Sequence, residues 1–189
     1  MAPADAKFLA IKADQFRAFR KALTLESDRG CALFAAAYLD KSLSEMLSAS
    51  LVNSAKIEDD LFGSQAPLGS FSARIKIAYY LGMLSKSERH DLDIIRKVRN
   101  QFAHNSEPMT FDQVSVQNLC SNLVHDWNEK DARPRAKFTA TASALLASIH
   151  VATHRGVART EKTDTPISDA AKETVRHNAR ATVAKLRKK

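Results

Sequence analysis

The sequence predicts an all-α fold, a single bundle of about six helices with a basic C-terminal tail. Three observations predict it. Apolar residues recur at helical spacing in one segment after another. Glycine and proline number only five each in 189 residues, too few to punctuate the many short strands of a sandwich or barrel. The hydrophobic fraction of 44% exceeds what a disordered chain carries. This length fits one domain, read as a helical domain over residues 1–155 followed by a linker and tail over 156–189.

The first helix rests on Phe8, Ile11, Phe16, Phe19 and Leu23. Asp28 is placed to cap the second, where Leu39, Leu43, Met46, Leu47 and Leu51 form a stripe; its first half, CALFAAAYL, is apolar all round, as a central buried helix requires. Residues 53–70 break the pattern, and Gly63, Pro67 and Gly69 mark a loop. A third helix near 71–83 carries Phe71, Ile75, Ala78 and Tyr79 on one side and Ile77 and Leu81 on another. Ser85 to Glu88 (SKSE) reads as a capping box opening a fourth helix with Leu92, Ile95, Val98 and Phe102 inward. Thr110 to Gln113 (TFDQ) repeats the device before a fifth helix carrying Val116, Leu119, Cys120, Leu123, Val124 and Trp127. After Pro134 a sixth helix puts Phe138, Ala142, Leu145, Ile149 and Ala152 on one face. A polar linker over 156–166 leads to a weakly amphipathic helix with a basic face, of a kind that orders on binding.

No apolar run reaches the roughly 18 residues of a membrane span. The opening MAPADAKFLAIKADQF lacks the continuous apolar core of a signal peptide, so a cytoplasmic protein is expected. Cys31 and Cys120 fit no zinc or redox spacing and lie in apolar stretches, which reads as buried packing thiols. The net charge of +8 is uneven: Arg155 to Lys189 holds ten basic and four acidic residues. Such a tail either neutralises phosphates, through Arg176, Arg180, Lys185, Arg187, Lys188 and Lys189, or serves as a solubilising end.

One local pattern carries potential chemistry, Arg99-Asn100-Gln101-Phe102-Ala103-His104 at the end of the fourth helix. Helical geometry puts Arg96, Asn100 and His104 along one face, with Arg99 beside the buried stripe. A guanidinium forks two donors onto a phosphate, and an imidazole moves protons near neutrality. Together Arg99, Asn100 and His104 could form a metal-free phosphodiester-cleaving site in which the ribose 2′-hydroxyl attacks, with Arg96 as a further phosphate contact. The alternative is structural: His104 and Asn105 cap the last carbonyls of the helix, and Arg99 pairs with Asp40 or Asp93. His150 and His154, at i and i+4, have metal-binding spacing but no third ligand, and His150 is equally read as a solvent-facing residue. No phosphate-cradling glycine loop is present.

The stretch Ala66-Pro67-Leu68-Gly69-Ser70-Phe71-Ser72-Ala73-Arg74-Ile75-Lys76-Ile77-Ala78-Tyr79-Tyr80-Leu81-Gly82 resembles the mannitol operon repressor family, which carries a similar PLG-x-[LF]-S-x-R-[IL]-K-[IL] segment running to Y-x-LG and then a helix ending in R-x4-H. Here that helix ends HDLDIIRKVRNQFAH, and the match spans about residues 64–105. The resemblance implies an all-α transcriptional regulator of sugar-alcohol uptake, whose helical core is similar to HEPN domains. Many of those are metal-independent endoribonucleases built as dimers around Arg-x4–6-His, which would map onto Arg99, Asn100 and His104 with half a site per subunit. Neither the family pattern nor this chain shows an obvious helix-turn-helix. The expectation is therefore a homodimeric, non-enzymatic regulator needing no cofactor or metal, acting through a protein partner or through nucleic acid bound at the tail or the dimer cleft. Its alternatives are a HEPN-like endoribonuclease and a dimeric interaction module with a vestigial motif.

Overall fold

The structure, a computed structural model, describes residues 3–186, with side chains from Ala10 onward. Every regular element among them is helical: α1 (Pro3–Leu25), α2 (Asp28–Ser50), a π-helical turn (Glu58–Phe62), α3 (Phe71–Tyr80), α4 (Lys86–His104), α5 (Val114–Cys120), α6 (Pro134–Arg155) and α7 (Asp169–Leu186). They fall into two compact units, one reaching Arg159 and the other beginning at Thr160.

In the first unit α2 is the central element, packed against α1, α3, α4 and α6. Its apolar first half makes that possible: Cys31, Ala32, Ala35, Ala36 and Leu39 form one broad buried face, Leu33, Phe34 and Tyr38 flank it half-buried, and Ala37 on the far side is exposed. Burial pushes the thiols of Cys31 and Cys120 up to about 11 and about 12, so both are inert packing groups. Two ring clusters tie the helices together. Phe19 packs on Phe34 and Tyr38 between α1 and α2, and Phe111 sits between Phe102 of α4 and Phe138 of α6, with centroids 5.1 and 5.0 Å away.

Several elements depart from the sequence reading. Ser27, not Asp28, caps α2 by accepting the Gly30 N–H; the Asp28 carboxylate instead takes Arg135 Nη1 at 2.6 Å and the Phe111 N–H at 2.9 Å. That second bond holds the Thr110–Gln113 segment out of a helix, so the expected second capping box does not form and α5 opens at Val114 with no side-chain cap. The Ser85–Glu88 box forms in full. The helix α5 stops at Cys120, leaving Val124 and Trp127 60% and 54% exposed where an inward stripe was expected. Ile11 is likewise exposed, Phe8 lies outside the described side chains, and residues 53–70 contain the π-helical turn that buries Phe62. The third helix ends at Tyr80, and the chain turns through Gly82 at φ 72°, a left-handed conformation suited to glycine.

The second unit contains α7, none of whose residues is buried. No helix among the described residues is long and apolar enough to cross a membrane.

Candidate functional site

The inward stripe Leu92, Ile95, Val98 and Phe102, all fully buried, fixes the rotation of α4 and turns Arg96, Asn100 and His104 away from the core. Arg96 meets Asp93 Oδ1 at 3.4 Å, and Asp40 is taken by Arg74, so neither acid pairs with Arg99. Arg99 Nη1 donates to Asn100 Oδ1 at 3.0 Å, which steers a half-buried guanidinium along the helix surface. His104 is exposed and makes no hydrogen bond among the described residues. It lines an open depression of about 440 Å³ with Gln101, Asn105, Ser106, Met109 and Ser115. The structure thus joins Arg99 to Asn100, while no hydrogen bond or ion pair links either to His104.

His104 does not cap the helix. Just past the helix end, Arg29, a residue without any sequence signal for it, donates from Nη2 to the carbonyls of Asn105 (2.7 Å) and Glu107 (2.9 Å). Asn105 Oδ1 in turn accepts the Glu107 N–H at 3.1 Å. Clamping these carbonyls fixes the direction in which the chain leaves α4 and so holds the rim of the His104 depression.

A second surface lies where α5 ends. The fully buried Asp91 carboxylate accepts the N–H groups of Val124 (3.0 and 3.1 Å) and His125 (2.8 Å), and His125 Nδ1 stands 2.7 Å from it. Asn128 Nδ2 is anchored to Asp126 Oδ1 and the Ala136 carbonyl. This irregular segment is held by part-buried hydrogen bonds to Asp91 and Ala136, and it presents Trp127 and Val124 outward, with the Arg20 guanidinium 5.8 Å from the Trp127 ring centroid. A rigid, half-exposed tryptophan beside an arginine is the composition of a protein-contact anchor. The sequence masked it because both apolar residues continue the α5 periodicity.

His150, with solvent exposure as one of its expected readings, is instead buried against α1 and α2, and its Nε2 has no hydrogen-bond partner among the described residues. Burial, reinforced by the nearby Lys12 ammonium, pushes its pKa down to about 4, so it is neutral near pH 7. Among the described residues no three His, Cys, Asp or Glu side chains gather in a metal-holding group, so His150 and His154 have no third ligand there.

The Pro67–Gly82 block is architectural. The Leu68 N–H donates to the Leu61 carbonyl, Ser70 caps α3, and a Cβ on Gly69 would stand 2.4 Å from the Gly63 carbonyl oxygen. Arg74 donates to Asp40 Oδ1 (2.7 Å) and the Phe62 carbonyl (3.1 Å), joining α3 to α2 and the π-helical turn.

On α7, Lys172, Arg176 and Arg180 follow at i, i+4 and i+8. Lys172 and Arg176 are paired with Asp169 and Glu173, whereas Arg180 and Lys185 have no ion-pair partner among the described residues. Arg187, Lys188 and Lys189 lie outside the described residues.

Comparisons with known proteins follow this geometry. A family model described as MtlR, mannitol repressor, matches residues 49–163. The chain is similar in fold to a chain of the X-ray structure of the MtlR-HPr complex from Escherichia coli, at a TM-score of 0.59 and 16% identity, over 71% of this chain and 98% of that one. No curated protein matches the sequence.

Proposed function

This chain belongs to the mannitol repressor family, and from that premise we propose that it is a regulator in the transcriptional control of sugar-alcohol uptake, acting as a homodimer through a protein partner. The family match over residues 49–163 carries the reading. The MtlR of Escherichia coli forms a complex with HPr, which makes the corresponding HPr the partner to test. Trp127, Val124 and Arg20 are the contact surface in this reading, because they combine an aromatic anchor with a frame that is already ordered. Residues 1–155 form the regulatory domain. The tail over 156–189 adds salt-sensitive contacts to nucleic acid through Arg176, Arg180 and Lys185.

The chain contains one tryptophan, so its emission reports directly on this surface. Titration with the source organism's HPr should change Trp127 emission saturably, and Trp127→Ala should weaken binding measured calorimetrically by about ten-fold or more. Absence of binding heat with the wild-type chain would remove this partner. Deletion of 156–189 should abolish the salt-dependent part of DNA or RNA binding while leaving the HPr titration intact. Sedimentation of the full chain tests the dimer.

A second reading, metal-independent RNA cleavage, is favoured by one observation: His104 is open to solvent a turn beyond the Arg99–Asn100 pair. It requires RNA cleavage in EDTA to yield 2′,3′-cyclic-phosphate ends that His104→Ala eliminates; an inert wild-type chain would end it.

A further inference from the structure

We propose that the groove between the C-terminal ends of α2 and α6 and the α3–α4 turn binds a small phosphate monoester. It is a concave site of about 410 Å³, formed within the first unit by Ser50, the turn Leu81–Met83, one face of α6 and the residues that follow it to Arg159. That volume falls within the roughly 300–1,000 Å³ of small-ligand pockets.

Its ionisable side chains are of one sign, and they must offset the partial negative charge of the carbonyls at the α2 and α6 C-termini. Arg155 and Arg159 are the only ionisable side chains lining it, and no carboxylate lines it. Arg159 Nη1 donates to the Ser50 carbonyl at 3.2 Å, which orients the guanidinium and leaves its other N–H groups for an oxyanion. Arg155 has no hydrogen-bond or ion-pair partner among the described residues. Two guanidiniums with no opposing acid match the double charge of a phosphate monoester, and each forks two donors onto its oxygens. Glu88, reached through the lining residue Ser148, is already engaged by the Ser148 hydroxyl and the Ser85 N–H, and its carboxyl is held below the usual range because its hydrogen bonds outweigh the opposing effect of burial.

Shape adds selectivity. Leu81, Met83 and Val151 give the groove an apolar side suited to a carbon skeleton rather than to a bare ion. Two glycines keep it open. Gly82 turns the chain at φ 72° with no side chain over the mouth, and a Cβ on Gly156 would stand 2.9 Å from Ser50 Oγ, so a larger residue there would make the Ser50 hydroxyl shift. A regulator with such a groove would sense a phosphorylated metabolite independently of the Trp127 surface.

The test is calorimetric titration of the full chain with glycerol 3-phosphate at fixed ionic strength. Saturable one-site binding with a Kd of about 1 mM or tighter is expected. The double substitution Arg155→Gln, Arg159→Gln should weaken it by at least about ten-fold. Both arginines are exposed, so the variant should still fold, at most slightly less stable for the lost Arg159–Ser50 hydrogen bond, and should lose the rise in melting temperature that ligand gives the wild type. No saturable heat with the wild-type chain, or equal affinity in the double variant, would overturn the proposal. Neither result depends on the HPr titration.

Discussion

Two segments of this molecule carry the same four-residue signal and fold differently. Ser85–Glu88 and Thr110–Gln113 each place a hydroxyl three residues before a side chain able to reach back, yet only the first becomes a capping box. At Ser85 the local bonds have no rival: Ser85 Oγ accepts the Glu88 N–H, Glu88 Oε2 accepts the Ser85 N–H at 2.6 Å, and Ser148 of α6 adds a donor to the same carboxylate. At Thr110 a stronger acceptor arrives from elsewhere. Asp28 takes the Phe111 N–H, and the Phe111 ring is drawn between Phe102 and Phe138. A charged acceptor and a buried ring outweigh a cap worth about 1 kcal/mol. Asp91 does the same thing farther along the chain, where it collects the N–H groups of Val124 and His125 just past the end of α5.

If distant carboxylates rather than local motifs shape residues 105–128, removing them should have the largest effects. Asp91→Ala leaves two backbone N–H groups without their acceptor and should cost about 3–5 kcal/mol in denaturant unfolding. It should also shift Trp127 emission in the native state, as the segment carrying that ring loses its anchor. A native spectrum unchanged by the substitution would show that the segment is held by something else.

The acid limb of the stability curve separates the two segments next. His150 has its folded pKa lowered to about 4, so below its ordinary value of about 6.5 the unfolded chain binds a proton that the folded one refuses. Stability should therefore fall between pH 6.5 and 4, by up to about 3 kcal/mol, and His150→Gln should flatten that phase. Glu88, whose pKa is also lowered, gives stability that is present above its unfolded value of about 4.3 and lost as pH falls further, a phase that Glu88→Gln removes. The Thr110–Gln113 turn should contribute no phase of this kind through a capping carboxylate, because its final residue is an amide. Asp28→Ala, which releases both Arg135 and the Phe111 N–H, should cost about 2 kcal/mol at neutral pH.

The sequence disclosed those parts of the fold whose causes are local or periodic. The stripe Leu92–Phe102 and the Ser85 box each follow from residues within one or two turns and stand in the structure as read, and α2 is central as expected although Ala37 on its far side is exposed. It hid whatever depends on a partner far along the chain: Asp28 acting on Phe111, Asp91 on Val124, Arg29 on Asn105, and α1 and α2 covering His150. The candidate residues divide the same way. Helical spacing was enough to bring Arg96, Asn100 and His104 to the surface of α4, but the bond from Arg99 to Asn100, the ion pair of Arg96 with Asp93 and the exposure of Trp127 had no periodic signature.

The smallest effect is the most discriminating. Ser85→Ala removes the acceptor for the Glu88 N–H and leaves Glu88 without its reciprocal partner, so it should cost about 1 kcal/mol. Thr110→Ala removes a hydroxyl that caps nothing, on an exposed side chain whose backbone carbonyl still accepts the Gln113 N–H at 3.4 Å, and should stay within about 0.5 kcal/mol of zero. Equal costs at the two positions would mean that Thr110 caps a helix in solution and that Asp28 does not control this turn. Adding Thr110→Ala to Asp28→Ala sharpens the result: once the competing carboxylate is gone, the threonine is free to cap, and its removal should now cost measurably more than it does in the wild-type background.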